Sequence, residues 1–157
     1  SAGGILIGRA ITERPDLFAV AINEVGMTNT LRIETTPNGD NQIPEIGSIK
    51  VENECKALIE MDAQSKVAIG TKYPAVFIRS GINDARIVPW MPAKFAAVLQ
   101  NSSSSNKPVL LYVNYVNGHF TSDVDENFKE FVDMISFSFW QVGHPSFTIT
   151  EKLFHKD

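Results

Sequence analysis

The stretch YPAVFIRSGINDARIVPW (Tyr73–Trp90) sets the architecture. Its first nine residues read as a short buried strand. The polar turn after it leads into PWMPAKFAAVLQNSSSSN (89–106), which reads as a helix with Pro92 near its first turn. The serine run that closes this helix reads as a solvated, flexible loop. Similar apolar runs flank this unit on both sides. DLFAVAINEVG (16–26), a near-continuous apolar run ending on glycine, suits a strand buried on both faces, as in a parallel sheet, and KPVLLYVNY (107–115) predicts a third strand.

Helical patterns separate the strands. Residues 3–14 place Ile5, Leu6, Ile7, Ala10 and Ile11 ahead of Pro15, which stops a helix at the preceding residue. Asn53 is a candidate cap for a helix to about Met61, with Leu58 and Ile59 facing inward. A last helix is predicted over Asp125–Val142, ended by Gly143 and Pro145. Phe128, Phe131, Val132, Ile135 and Phe139 recur along it at helical spacing and read as core. Met27–Ser48, with TTPNGDNQIPEIG, reads as one long irregular connection. Helices alternating with strands predict an α/β fold, a three-layer α/β/α arrangement around a mostly parallel sheet of about three strands. A sheet that small, led by a helix, reads as the back part of something larger.

The 157 residues suit one domain, 1–157, with a real core. A net charge of −4 gives no sign of nucleic acid or a membrane surface as partner. No apolar run approaches the length needed to span a bilayer. Cys55 stands alone, so there is no internal disulfide and no cysteine metal site, and the thiol reads as a spectator. The compartment is left open, with the cytoplasm slightly favoured.

In open α/β sheets, ligands gather beyond the carboxyl ends of the strands. Asp84 follows the second strand and His119 the third. Ser1 precedes the first helix, at the same edge. Serine, aspartate and histidine in that order is the order of the α/β-hydrolases. A serine hydroxyl is a poor nucleophile until an imidazole removes its proton, and a carboxylate fixes that imidazole's tautomer. SAGG (1–4) reads as the second half of a G-x-S-x-G-G nucleophile elbow whose first half would lie upstream. Each residue has a plainer reading. Ser1 can be a helix cap, Asp84 a turn former, His119 an exposed histidine after the Asn117-Gly118 turn, and Arg86 a partner for a nearby carboxylate. His144 reads as a helix-end residue, His155 as part of an inert tail, and Trp90 and Trp140 as packing residues.

The stretches SAGG…ITERPDLFAVAINEVG, YPAVFIRSGINDARIVPW…KFAAVLQ, KPVLLYVNYVNGHFT and FSFWQVGHP occur here in one order. Together they make essentially the whole chain resemble the C-terminal catalytic part of the prolyl oligopeptidase family of serine peptidases. The resemblance implies a partial α/β-hydrolase fold and hydrolysis of short peptides through an acyl-enzyme, with no metal or cofactor. It implies Ser1 as nucleophile, Asp84 as orienting acid and His119 as general base. The Ala2 N–H would be one oxyanion donor, and the family's second, a tyrosine hydroxyl, would lie upstream. Arg86 matches the arginine that grips a substrate carbonyl. Val25 and Ile87 match apolar residues lining the pocket for the residue before the scissile bond. Members specific for proline place a tryptophan and a tyrosine in the loop after the first strand. GDNQIPEIG (39–47) has no aromatic there, so proline preference does not carry over, and Glu45 offers a carboxylate to a basic substrate residue or amine. Read as a piece of such a domain, the chain is expected to have little activity alone and to self-associate through the unpaired edge of its first strand. A carboxylesterase, an acyl-peptide hydrolase and a non-catalytic fragment remain as alternatives.

Overall fold

The computed structural model describes residues 1–148, so His155 lies outside the described residues. Three strands form one parallel sheet in the order β1 (Val20–Glu24), β2 (Ala75–Gly81), β3 (Val109–Asn114). The register pairs Val20 with Ala75 and Gly81 with Asn114, so the carboxyl ends of β2 and β3 finish together. Helices α1 (Gly3–Glu13) and α5 (Trp90–Ser102) cover one face. There Ile11, Val76, Ile78, Phe95 and Leu99 build the largest apolar cluster. Helix α6 (Val124–Gln141) covers the other face, where Phe137 and Met134 pack on Ala75 and Phe77. The architecture is the expected three-layer α/β/α sandwich around a parallel sheet.

Burial differs among the strands. All seven residues of β2 are buried, as its apolar run predicts. The first strand, whose apolar run suits burial on both faces, is buried on one only, and the third is partly exposed. In β1, Ala21 and Asn23 are buried, while Val20 and Ile22 are only half-buried. In β3, Leu110 and Leu111 remain exposed. Both are edge strands among the described residues, and α6 covers its face of the sheet incompletely.

The α6 stripe is the largest departure from the sequence reading. Phe128, Phe131, Val132, Ile135 and Phe139 are all exposed, Phe128 by 66%. The buried residues of this helix are Glu130, Met134 and Phe137. The helix carries two apolar faces, and the one turned to the sheet meets both Phe77 and the buried Arg79. Periodicity finds an apolar face but does not tell which of two faces the sheet selects. Trp140 does pack, edge-on to Phe137, whereas Trp90 is 37% exposed beneath the Lys94 ammonium.

Smaller corrections have local causes. The 27–48 connection contains two short helices, α2 (Thr30–Ile33) and α3 (Gly39–Ile46). They form because Ile33 and Ile46 reach an apolar cluster with Met27, Ile87 and Met91, which outweighs turn-forming sequence and the internal Pro44. Helix α4 (Glu52–Met61) starts before Asn53, with Val51 at its cap position and no side-chain cap. Glu52 and Glu54 in its first turn suit the helix dipole instead. Leu58 is buried, but Ile59 is exposed. The serine run is tied down rather than loose. Ser102 is buried at the end of α5, Ser104 Oγ donates to the Gly70 carbonyl (2.7 Å), and Ser105 Oγ donates to the Tyr73 carbonyl (2.7 Å).

Candidate active site

Asp84 lies three residues beyond β2 and is 4% exposed. Its Oδ1 accepts the N–H groups of Arg86 (2.8 Å) and Ile87 (2.9 Å). Its Oδ2 lies 2.8 Å from His119 Nδ1. The turn-forming reading of Asp84 therefore describes one carboxylate oxygen, and the other engages the imidazole. His119 is 9% exposed and sits edge-on to Phe120, so it is not an open loop histidine. A carboxylate only accepts, so in a neutral imidazole at this position Nδ1 carries the proton and Nε2 the lone pair.

Two glycines let the acid and the imidazole meet. A Cβ on Gly81 would lie 2.1 Å from the Gly118 carbonyl oxygen, and one on Gly118 would lie 2.8 Å from the Asn83 carbonyl oxygen. The loops after β2 and β3 thus pack backbone against backbone. Asn83 fastens them, its Nδ2 donating to the Val116 carbonyl (2.9 Å). Asn114 Oδ1 shapes the second loop by accepting the N–H groups of Val116 (2.9 Å) and Asn117 (2.7 Å).

Ser1 heads α1 and is exposed. Its carbonyl accepts the N–H groups of Gly4 and Met27, both at 2.9 Å, which fastens the head of the helix to the end of β1. Gly4 is required there, since a Cβ would lie 2.4 Å from Gly26 Cα. The Ala2 N–H has no hydrogen-bond partner among the described residues and stands at the positive end of the helix.

The remaining expected residues fall around this rim. Arg86 is exposed, with its guanidinium 5.3 Å from the centre of the Phe120 ring. Among the described residues no carboxylate side chain pairs with it, contrary to its plainer reading. Val25 is 6% exposed and donates its N–H to the Arg79 carbonyl (2.8 Å). Its φ of 42° is a left-handed conformation that a β-branched residue rarely takes, and strain of this kind gathers at functional sites. Ile87 is fully buried with Met27, Ile33 and Met91, and serves as packing beneath the rim rather than as an open wall. Glu45 is exposed on α3.

Beneath His119 lies a polar network that the sequence reading did not single out. Arg79, 1% exposed in the middle of β2, pairs with Glu130 of α6 at 2.9 Å. Burial pushes the Glu130 carboxyl up, but hydrogen bonds from Asn114 and Thr121, together with the Arg79 cation, hold it below the usual glutamate range. The signal was present in the sequence: an arginine inside a buried strand demands a carboxylate partner. Which carboxylate answers it depends on how α6 lies on the sheet.

Parallel strands, helical layers on both faces and a histidine–carboxylate pair beyond the strand ends describe part of an α/β-hydrolase. The sequence profile of the prolyl oligopeptidase family matches residues 1–144, and the chain belongs to that family of serine peptidases. It is 30% identical over 145 residues to a prolyl endopeptidase of Elizabethkingia miricola, covering 91% of this chain and 21% of that protein. It is 26% identical over 147 residues to dipeptidyl aminopeptidase BI of Pseudoxanthomonas mexicana, covering 91% of this chain and 20% of that one. Among solved structures, a prolyl endopeptidase superimposes with a TM-score of 0.86 at 30% identity, over 90% of this chain and 21% of that one. Oligopeptidase B of Leishmania major superimposes with a TM-score of 0.85 at 25% identity, over 98% of this chain and 21% of that one. The chain spans about a fifth of the length of the relatives it matches.

Proposed function

We propose that this chain carries the catalytic residues of a serine peptidase acting on short peptides, with Ser1 as nucleophile, His119 as general base and Asp84 as its orienting acid. The observation that carries this reading is the buried 2.8 Å contact between His119 Nδ1 and Asp84 Oδ2. Ser1 Oγ attacks the scissile carbonyl while His119 Nε2 takes its proton. The Ala2 N–H stabilises the resulting oxyanion, and the imidazolium returns the proton to the leaving amine. Water, deprotonated by the same imidazole, then attacks the acyl carbonyl, and the imidazolium gives that proton to Ser1 Oγ as the carbonyl–Oγ bond breaks and the acid leaves. In this reading Arg86, exposed with its guanidinium over the Phe120 ring, holds a substrate carbonyl, and the buried Val25 turn shapes the adjoining floor. No step in this scheme uses a metal or cofactor.

Peptide substrates are supported by the relatives, whose names are those of endopeptidases and an aminopeptidase. Proline preference is not proposed, because residues 39–47 supply no aromatic ring. Glu45 remains a candidate contact for a basic residue or amine. The test is fluorophosphonate labelling of the full-length protein, together with hydrolysis of chromogenic short peptides. Labelling and turnover that both vanish in Ser1→Ala and His119→Ala support the reading. Activity that survives both substitutions overturns it, and turnover of esters with no turnover of the matching peptide amides favours the carboxylesterase alternative. Residues 1–157 alone are expected to turn over substrate poorly, because loss of one oxyanion donor costs about a hundredfold or more.

A further inference from the structure

We propose that Arg79 is the positioning residue for His119, acting from the centre of the sheet through the backbone of the loop that carries the imidazole. This rests on the serine-peptidase reading above. The Arg79 guanidinium addresses three acceptors at once. Its Nε donates to Glu130 Oε2 at 2.9 Å, Nη1 donates to the His119 carbonyl at 3.3 Å, and Nη2 donates to Thr121 Oγ1. Thr121 Oγ1 in turn donates to the same Glu130 oxygen at 2.7 Å. The other Glu130 oxygen accepts from Asn114 Nδ2 at 2.6 Å, and Asn114 is the residue that shapes the start of the His119 loop. Asn117 in that loop also donates to Glu126 of α6 at 2.8 Å.

His119 is thereby held at two points. Asp84 fixes the ring through Nδ1, and Arg79 fixes the main chain through the carbonyl. The Arg79 backbone carbonyl meanwhile accepts the N–H of the strained Val25. One residue of β2 thus links the turn after β1, the histidine loop after β3 and helix α6. Stability alone is a weak reason for such an arrangement, since well-packed apolar side chains often replace a buried ion pair without loss. Apolar side chains would not hold a carbonyl and a hydroxyl of the histidine loop. A lysine would keep the charge but lacks the planar fork that reaches three partners.

The experiment uses the full-length protein with three sets of changes: the double substitution Arg79→Met/Glu130→Met, the single Arg79→Lys, and Thr121→Val. Thermal unfolding, steady-state kinetics on a chromogenic peptide and the rate of fluorophosphonate labelling are measured for each. Removing the pair as a unit is expected to leave the unfolding temperature near that of the parent. The same double variant is expected to lower kcat about ten- to a hundredfold, through misplacement of the imidazole. KM should stay within about twofold, since no substrate contact is lost. Labelling should slow in parallel, because it needs the imidazole but not the peptide. Arg79→Lys and Thr121→Val, which leave Glu130 in place, should each lower kcat by about threefold or more.

A double variant with parental kcat and labelling rate would show that the pair only supports the fold, and would overturn the proposal. Should that variant not fold, unchanged kcat in both Arg79→Lys and Thr121→Val overturns it equally. His119→Ala separates the two levels. If it abolishes labelling while the Arg79 and Thr121 variants are unaffected, only this inference fails. If His119→Ala retains activity, the peptidase reading and this inference fall together.

Discussion

At the residue scale, Asp84 and Gly81 do the most to place the candidate site. Each Asp84 oxygen has a separate task, one holding the turn and the other the imidazole. Asp84→Asn retains an acceptor for the turn but offers His119 an amide, which disturbs the tautomer. The expected result is a loss of roughly 10³–10⁴-fold in kcat of the full-length protein, with an unfolding midpoint close to the parent's. Parental turnover in that variant would remove Asp84 from the mechanism. Gly81→Ala acts differently, by pushing a methyl into the Gly118 carbonyl. It should cost about 1–3 kcal/mol in denaturant unfolding through overpacking. It should also lower activity, because the two loops separate.

At the element scale, the orientation of α6 is the feature with the clearest consequence. Its buried face carries Phe137 at 5% exposure, while Phe131 on the other face is 57% exposed. In residues 1–157, Phe137→Ala should destabilise by about 3–5 kcal/mol in urea unfolding. Phe131→Ala should change stability by only about 0.5 kcal/mol. Equal losses would mean that the helix rolls to bury its other face. The helix is well anchored at its start, where the Asp123 carboxylate accepts the Glu126 N–H at 2.8 Å. That cap fixes where α6 begins. Its roll is set by the Arg79–Glu130 pair together with the contact between Phe77 and Phe137.

Across the whole molecule, the buried pair beneath the sheet end makes stability depend on pH. Glu130 is held below the ordinary glutamate range in the folded chain. A carboxyl depressed by folding contributes stability that is complete above its unfolded pKa, and loses it as pH falls through the folded value. Stability should therefore hold at neutral pH and decline on acidification through and below the ordinary glutamate range. Glu130→Gln should be about 3–5 kcal/mol less stable at neutral pH, because Arg79 keeps only the half-exposed Glu24 carboxylate, 3.8 Å away, as a charged partner. It should lose less than the parent on acidification, and equal acid sensitivity in unfolding curves would exclude Glu130 as a source. The sheet makes a second prediction. Both β1 and β3 present an unpaired edge among the described residues, and such edges recruit other strands. Residues 1–157 should self-associate at micromolar concentration, and a monodisperse monomer in light scattering would refute this.

The sequence by itself determined the alternation of helices with three apolar runs, and hence the parallel sheet with helices on both faces. Backbone propensity acts locally, so each apolar run marks a strand, but the sheet decided which is central and buried, like AVFIRSG, and which lies at an edge, like VLLYVN. The meeting of Asp84 and His119 was also readable, because the loops after neighbouring parallel strands gather at one end of the sheet. The tertiary structure alone decided that Glu130 and Phe137, rather than the Phe128–Phe139 stripe, face the sheet. It alone decided that residues 27–48 fold into two short helices and that Arg79 reaches the His119 loop. These outcomes depend on which surfaces meet across long chain separations, and a pattern within one segment holds no record of its partner.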